Sequence, residues 1–448
     1  MNSFEIVVLV LNVGMLWWAL VTRSITKKKV GLFSIISLLT IIQVVLSARW
    51  QMIPAYCMPV LTLLCMIYQN RKATRKSKRW KQVLSVGLAL LYSVISFVLP
   101  SLLPVFTFAK PTGEEEVGTS VLHLQEEDNE LMVQAWYPAE PINNQQRATY
   151  ILDGPEVTAG LSAMVGFPDF ALRHLGGIQT HAYLDADISS TQASYPVLLF
   201  SHGLGGIRNQ NTFQVEELAS HGYIVIAVDQ PNYAAATVFP DGKVMENQYL
   251  NLVGAGASEL DPHMDRWASN SKFVIDQLKI LNQSERFNNA MDLDRIGMIG
   301  HSYGGSTAIY MLLNDDRVKA AINMDGGIFG MEDFPVELDK PLMLMAADSS
   351  LDSESFYQTL DEYSEEEVME LSGHTKEWHR TNREEIEKRR ELMLAAGAES
   401  EVFEHTSHIS FSDLPLYAPL LLAPQGDPQE VHKQVNEKSL RFFNKHLQ

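Results

Sequence analysis

Four long runs with at most one charge lie within the first 110 residues, and they restrict the fold of this chain more than any other feature. Phe4–Thr22 holds a single charge, Glu5, at its edge, while Val30–Ala48, Ile53–Gln69 and Val83–Ala109 hold none. Each run approaches the ~20 residues an apolar helix needs to cross a hydrocarbon core. Core helices of a water-soluble domain rarely repeat such a pattern four times. Lipid offers no partner for free N–H and C=O groups, so these segments are expected to be helices. Pro100 and Pro104 predict a kink or an end in the fourth. The expected spans are 4–22, 30–48, 53–69 and 83–105, within a transmembrane region covering residues 1–109.

A cleaved leader is the competing explanation of the first run. Such a leader carries positive charge before its apolar stretch, whereas here Met1–Glu5 has no Lys or Arg and the basic cluster 23–29 follows. The first run therefore reads as a retained span. Lys and Arg bias sets orientation. The connecting loops carry four basic residues (23–29), then Arg49 alone, then seven (71–81). Keeping the rich loops in the cytoplasm puts the N-terminus and everything after Lys110 outside. The expected location is thus the cell membrane, as a multi-pass protein with its large domain extracytoplasmic. Cys57 and Cys65, the two cysteines, fall in the third span, so the large domain is expected to hold no internal disulfide. The spans are expected to contain no buried charge that would suggest a transport path, so they are expected to anchor.

Charge divides the chain at the same place. The first 110 residues carry thirteen basic side chains and one acidic one, a net +12, and the remaining 338 carry −31, which together give the overall −19. That acidic balance argues against a nucleic-acid partner. A hydrophobic content of 46% argues against disorder, and two cysteines exclude a disulfide scaffold.

After Lys110, apolar strand-like runs alternate with helical ones, as in a doubly wound sheet. The strand candidates are Leu131–Tyr137, Pro196–Phe200, Tyr223–Val228, Arg295–Ile299, Val318–Asn323, Pro341–Met345 and Glu401–Glu404. Within them, Val197–Phe200 and Ile224–Val228 are continuously apolar, as strands buried on both faces are. Asn211–Ser220 and Met264–Asn282 read as helices. Gly300-His301-Ser302-Tyr303-Gly304 is a G-x-S-x-G sequence between the strand Arg295–Ile299 and the helical run Tyr303–Leu313. That context is what a nucleophile elbow requires. The fold class is therefore α/β: an α/β-hydrolase with a doubly wound, mostly parallel sheet over 110–448, preceded by a bundle of about four transmembrane helices.

Ser302 is the expected nucleophile. The oxyanion donors are expected to be the backbone N–H of Tyr303, which follows it, and that of Leu204 in Phe200–Gly206, the loop after an earlier strand. His202 in that loop is expected to pack behind it. The order of this fold is Ser, acid, His. His405 and His408 both follow the last strand and are both candidates for the base; Asp325 and Asp348 each end a strand and are both candidates for the acid. His301 adjoins the nucleophile and points off the elbow, and His374 and His379 sit in a charged, solvated stretch. No cluster with metal-ligand spacing is visible, so neither metal nor cofactor is expected.

The sequence resembles the plasma-type (isoform II) platelet-activating factor acetylhydrolase family, serine-dependent short-chain phospholipases A2, and especially its bacterial members. The resemblance rests on Phe106–Gly118, Leu131–Ala139, His181–Asp185, Phe200–Gly206, Asn211–Tyr223, Gly300–Gly305, Asn323–Gly327 and His408–Asp413, spread in order over residues 106–448. It implies Asp325 rather than Asp348 as the acid and His408 rather than His405 as the base, since His408, Phe411 and Asp413 match an H-x-x-F-x-D segment. It also maps the oxyanion donors onto Leu204 and Tyr303. It implies a serine ester hydrolase acting on phospholipids with short or oxidised sn-2 chains. The segment Tyr150–Ala186, rich in Leu, Met and Phe, is expected to line the acyl pocket. The expected partners are a lipid or small ester substrate and the membrane, with no nucleic acid and no obligate protein partner. Other α/β-hydrolase activities (general carboxylesterase, lipase or polyester hydrolase, acyltransferase) are the alternatives, together with a non-catalytic membrane sensor. The four spans depart from the family pattern. So does the stretch 351–400, with 14 acids and 6 bases, which reads as a solvated helical excursion or as a lid.

Overall fold

The computed structural model describes residues 3–22, 25–71, 79–127, 129–141 and 145–448. The basic residues Arg23, Lys72, Arg75, Lys76 and Lys78 counted above lie outside them. The chain divides into two compact units, Met1–Phe106 with Leu416–Ala423, and Thr107–Pro415 with Pro424–Gln448.

The first unit contains helices α1 (Ser3–Val21), α2 (Lys27–Ser47), α3 (Ile53–Arg71) and α4 (Arg79–Leu102). Pro100 lies in the last turn of α4, which stops two residues later. All four are long and apolar enough to cross a membrane and indicate a multi-pass membrane protein. Apolar side chains such as Leu38, Val45, Leu64 and Leu91 face outward. Helices apolar all round suit a lipid surround rather than water. The polar side chains turn inward instead: Asn12 Nδ2 donates to Thr40 Oγ1 at 2.9 Å, and Trp17 Nε1 to Ser93 Oγ at 3.2 Å. Such bonds join apolar helices that have no hydrophobic drive to associate in lipid.

The expectation of no buried charge here is corrected. Glu5 and Arg49 form a bidentate pair, Nε–Oε1 2.7 Å and Nη2–Oε2 2.9 Å, with both side chains buried, and Arg49 Nη1 also donates to the Leu103 carbonyl. A glutamate at the edge of one run and the lone base of a loop look peripheral along the sequence. Folding brings them together because each charge removes most of the other's desolvation cost.

The second unit is built on a ten-stranded sheet. In chain order its strands are β1 (Glu116–Glu126), β2 (Asn129–Ala139), β3 (Arg147–Thr149), β4 (Gln179–Leu184), β5 (Tyr195–Ser201) and β6 (Ile224–Val228). A separate hairpin, β7 (Ala236–Val238) with β8 (Val244–Glu246), intervenes. The sheet continues with β9 (Met291–His301), β10 (Val318–Met324), β11 (Leu342–Ala347) and β12 (Glu399–Phe403). The spatial order is β12-β11-β10-β9-β5-β6-β2-β1-β4-β3. The six strands from β12 to β6 run parallel; β2 is antiparallel to both β6 and β1. This is the mixed, mostly parallel sheet of an α/β-hydrolase.

Every residue of β5 and β6 is buried, which explains their unbroken apolar sequences. The helix Met264–Asn282 packs against the helix Tyr303–Asn314, and Thr212–Ser220 packs against Pro428–Leu447. These pairs flank the sheet and bury side chains worth ~1.5–3 kcal/mol each when large and aliphatic.

Residues 353–395 fold into three helices, Ser353–Glu362, Glu365–Ser372 and Lys376–Ala395. Their outer faces are solvated, but the third is docked. Met393 enters the main core. Arg389 clasps Asp261 through two bonds of 2.8 and 2.9 Å and donates to the Ile328 carbonyl.

Candidate active site

Strand β9 runs into the helix Tyr303–Asn314 through Ser302, whose backbone sits at φ 56°, ψ −125°. A non-glycine residue in that region costs ~1–3 kcal/mol. The strain is held by the Ser302 N–H, which donates to the Met324 carbonyl at 2.9 Å, and by three close approaches. A side chain at Gly300 would strike the Gly304 backbone, one at Gly304 the carbonyls of Ser201 and His202, and one at Gly326 the Ser302 carbonyl. The glycines of the motif are thus required by backbone crossing over backbone.

The hydroxyl so presented meets His408. Ser302 Oγ lies 3.0 Å from His408 Nε2, and His408 Nδ1 lies 2.8 Å from Asp325 Oδ2. The serine O–H donates to Nε2 while Nδ1–H donates to the carboxylate, which defines the neutral tautomer a general base needs. The His408 side chain is 48% exposed and that of Asp325 only 3%, so the imidazole can be reached from outside and the carboxylate cannot. Burial by itself raises the Asp325 carboxyl. Hydrogen bonds from His408, from the Ser350 hydroxyl at 2.7 Å and from the Ala347 N–H at 2.8 Å outweigh it and hold the group below the ordinary aspartate range.

The alternatives are occupied elsewhere. Asp348 accepts the backbone N–H groups of His405 and Thr406, at 2.6 and 3.0 Å, and so fixes the loop that leads to His408. His405 faces solvent. His374 stacks on Trp378 and His379 contacts the Ser372 hydroxyl. Asp413 accepts the N–H groups of Thr212 and Phe213, and Asn211 Nδ2 donates to the Phe411 carbonyl at 2.7 Å. The H-x-x-F-x-D segment therefore clips the histidine loop to the start of the helix Thr212–Ser220.

The loop 202–211 carries the other half of the site. A Cβ at Gly203 would sit 3.0 Å from Ser302 Cβ, so this backbone lies directly beside the Ser302 side chain. The Gly203 carbonyl accepts from His202 Nδ1–H at 2.7 Å and from the Gly206 N–H at 2.9 Å. A trans peptide points its N–H opposite to its C=O, so these bonds turn the Leu204 N–H away from them. Neither the Leu204 nor the Tyr303 N–H has a hydrogen-bond partner among the described residues. Two free donors next to a serine hydroxyl suit a developing oxyanion.

His202 is wholly buried; its Nε2 accepts the Gln230 N–H at 3.1 Å, and burial lowers its pKa so that it stays neutral. It packs behind the loop as expected, with the added duty of aiming the Gly203–Leu204 peptide. The loop's far side is anchored by fully buried Arg208, ion-paired with Asp229 and Asp153. Met164, from the segment 150–186, lies against Gly205, which adopts φ +71°. Tyr303 packs among Trp267 and Phe329 and donates to the Leu260 carbonyl, leaving its backbone N–H uninvolved.

Sequence reasoning missed Ser350, which supports the acid, and Gln210, whose side chain reaches both the loop and the elbow. Nothing local distinguishes either from a surface residue.

A fold and a site of this kind define an α/β-hydrolase, and residues 196–388 match the family described as alpha/beta hydrolase fold. Within that superfamily the chain is distantly homologous to the platelet-activating factor acetylhydrolases: residues 104–259 match the family model for platelet-activating factor acetylhydrolase, isoform II. Platelet-activating factor acetylhydrolase of Cavia porcellus is 26% identical over 56% of this chain and 64% of its own length. A probable 1-alkyl-2-acetylglycerophosphocholine esterase of Arthroderma benhamiae is 32% identical over 30% of this chain and 32% of its own. The chain thus spans less than two thirds of the length of these relatives. Among solved structures, a ferulic acid esterase from Streptomyces cinnamoneus superposes with a TM-score of 0.56 at 25% identity, over 77% of this chain and 94% of that one.

Proposed function

We propose that the protein is a membrane-anchored serine ester hydrolase of the platelet-activating factor acetylhydrolase type, cleaving short sn-2 acyl chains from phospholipids on the outer side of the membrane. The observation that carries this reading is the hydrogen-bonded series Ser302–His408–Asp325 at a strained strand-to-helix elbow.

In the proposed reaction His408 takes the Ser302 proton as Oγ attacks the ester carbonyl. Asp325 holds the imidazole in its working tautomer and stabilises the imidazolium that forms. The Leu204 and Tyr303 N–H groups receive the oxyanion, a contribution of ~3–4 kcal/mol per donor in comparable sites. His408 then protonates the leaving alkoxide. An acyl-serine remains, and water activated by His408 releases the acid.

Distant homology supports the lipid substrate, and the four apolar helices support access to it, since a catalytic unit so acidic is not drawn to an anionic bilayer by charge. The lysine and arginine bias of the loops supports the outward orientation. The structural likeness to a ferulic acid esterase favours a second reading, a broader carboxylesterase.

The test is turnover by the full chain in mixed micelles, comparing sn-2 acetyl with sn-2 palmitoyl glycerophosphocholine, p-nitrophenyl butyrate and methyl ferulate. The acetyl lipid is expected to exceed the palmitoyl lipid at least about tenfold in kcat/KM, the scale on which a pocket discriminates by several methylenes. Preference for the ferulate with no turnover of either lipid would replace this reading by the second.

A further inference from the structure

His301, inside the G-x-S-x-G sequence, has no part in the reaction above, yet its ring is buried and fully bonded, and its centroid lies 4.7 Å from that of the His408 ring. Its Nδ1 lies 2.6 Å from Gln210 Nε2 and its Nε2 lies 2.9 Å from the carbonyl oxygen of His408. Gln210 in turn places Oε1 3.0 Å from the Gly203 N–H.

One backbone group fixes every proton in this series. The Gly203 N–H can only donate, so the Gln210 oxygen must face it. The amide nitrogen must then face His301 and donate, so Nδ1 must accept. The imidazole proton is left on Nε2, where it donates to the His408 carbonyl. Burial pushes the His301 ring well below the ordinary histidine range, and the neighbouring His408 adds to the shift, so the ring keeps the neutral form that the bonding demands. The backbone of Gln210 is held as well, its carbonyl accepting the Asp413 N–H at 2.8 Å.

We propose that Gln210 and His301 are positioning residues: a neutral strut from the His202–Gly203 peptide, one unit before the Leu204 N–H, to the backbone of His408, which keeps oxyanion donor and general base in fixed register. The proposal rests on the hydrolase reading above. His202 orients the loop peptide from the carbonyl side, and the strut holds the preceding N–H while tying it to the opposite wall of the site. Oxyanion stabilisation and proton transfer both depend on sub-ångström placement, and both act in the transition state. Loss of the strut therefore acts on kcat and spares ground-state binding. Gln at 301 can accept from Gln210 and donate to the His408 carbonyl, so it replaces both bonds of the ring.

The experiment compares the full-length parent with His301→Leu, Gln210→Leu, the double variant and His301→Gln, on p-nitrophenyl butyrate, after checking each for parent-like thermal unfolding. Each leucine variant is expected to lose about 10–100-fold in kcat with KM within about threefold. The double variant is expected to be no worse than the worse single, because the two residues act as one element. His301→Gln is expected to recover most of the loss. If His301→Leu does not fold, Gln210→Leu and His301→Gln, which preserve the packing of the elbow, carry the comparison.

The strut is overturned by folded leucine variants within twofold of the parent in kcat, by a loss confined to KM, or by additive losses in the double variant. Failure of the underlying reading looks different. In that case the parent itself shows neither ester turnover nor covalent reaction of Ser302 with a fluorophosphonate.

Discussion

Both units of this protein bury charge, and they do so in opposite ways. In the helical unit, Glu5 and Arg49 close on each other, and the remaining guanidinium nitrogen is taken by the Leu103 carbonyl. Both side chains are buried, and neither faces solvent. In the hydrolase unit, Asp325 is as deeply buried, but its partner His408 is half exposed and passes the interaction on to a serine hydroxyl. A closed pair is structure; an open pair, whose outer member faces solvent, is available for chemistry. The Arg208–Asp229–Asp153 cluster belongs with the first kind although it lies beside the second.

The comparison breaks most sharply at Asp325. Asp325→Asn is expected to lower kcat for p-nitrophenyl butyrate by about 10⁴-fold, as in other triads, because the amide favours the wrong tautomer of His408. Asp348→Asn, the carboxylate that only fixes a loop, is expected to stay within about fivefold. Equal losses in the two variants would contradict the distinction between open and closed carboxylates.

The closed pair is expected to register in stability. Arg49→Met leaves a buried glutamate without its partner and is expected to cost ~3–5 kcal/mol. The double change Glu5→Gln with Arg49→Met is expected to recover most of that, since it removes both charges together. Unfolding of the full chain in detergent, followed by circular dichroism, reads both. A single variant as stable as the parent would show that the pair is solvated.

Glu216 sharpens the comparison, being a buried carboxylate that forms no ion pair among the described residues and feels the Arg147 charge only at a distance. Its Oε1 accepts the N–H groups of His181 and Ala182, and its Oε2 has no hydrogen-bond partner among the described residues. Burial pushes its pKa up to about 7. Between the ordinary glutamate value and 7 the native state binds more protons than the unfolded chain, so stability falls as pH rises through that window. The loss is on the order of 3 kcal/mol. Glu216→Gln is expected to remove this slope and to be the more stable form at pH 8. Parallel slopes in urea unfolding at pH 5 and pH 8 would contradict it.

What could be read from sequence follows from how local the determinants are. The buried parallel strands β5 and β6 are continuous apolar runs, and the elbow is a contiguous motif, so both are legible. The β1 strand, EVGTSVLHLQE, and the β4 strand, QTHAYL, lie inside the mixed end of the sheet and mix polar and apolar residues, so neither shows an unbroken apolar run. The helix Glu365–Ser372 carries its own local signal, a Ser364–Glu367 capping box. Arg389 and Asp261 lie 128 positions apart, and no local pattern announces their pairing. His301 was set aside as a base for a sound reason, its place on the elbow. Its bonding to Gln210 and to the His408 backbone exists only once three separate loops converge.

The central claim is that Ser302 is the acylated nucleophile, and covalent labelling tests it most directly. The full chain treated with a fluorophosphonate is expected to carry one label, on the peptide containing Ser302, and to lose ester turnover in step with labelling. Ser302→Ala is expected to take up no label and to be inactive. A Ser302→Ala protein that still hydrolyses p-nitrophenyl butyrate at the parent's rate, or a label on another residue that abolishes turnover, would contradict the account.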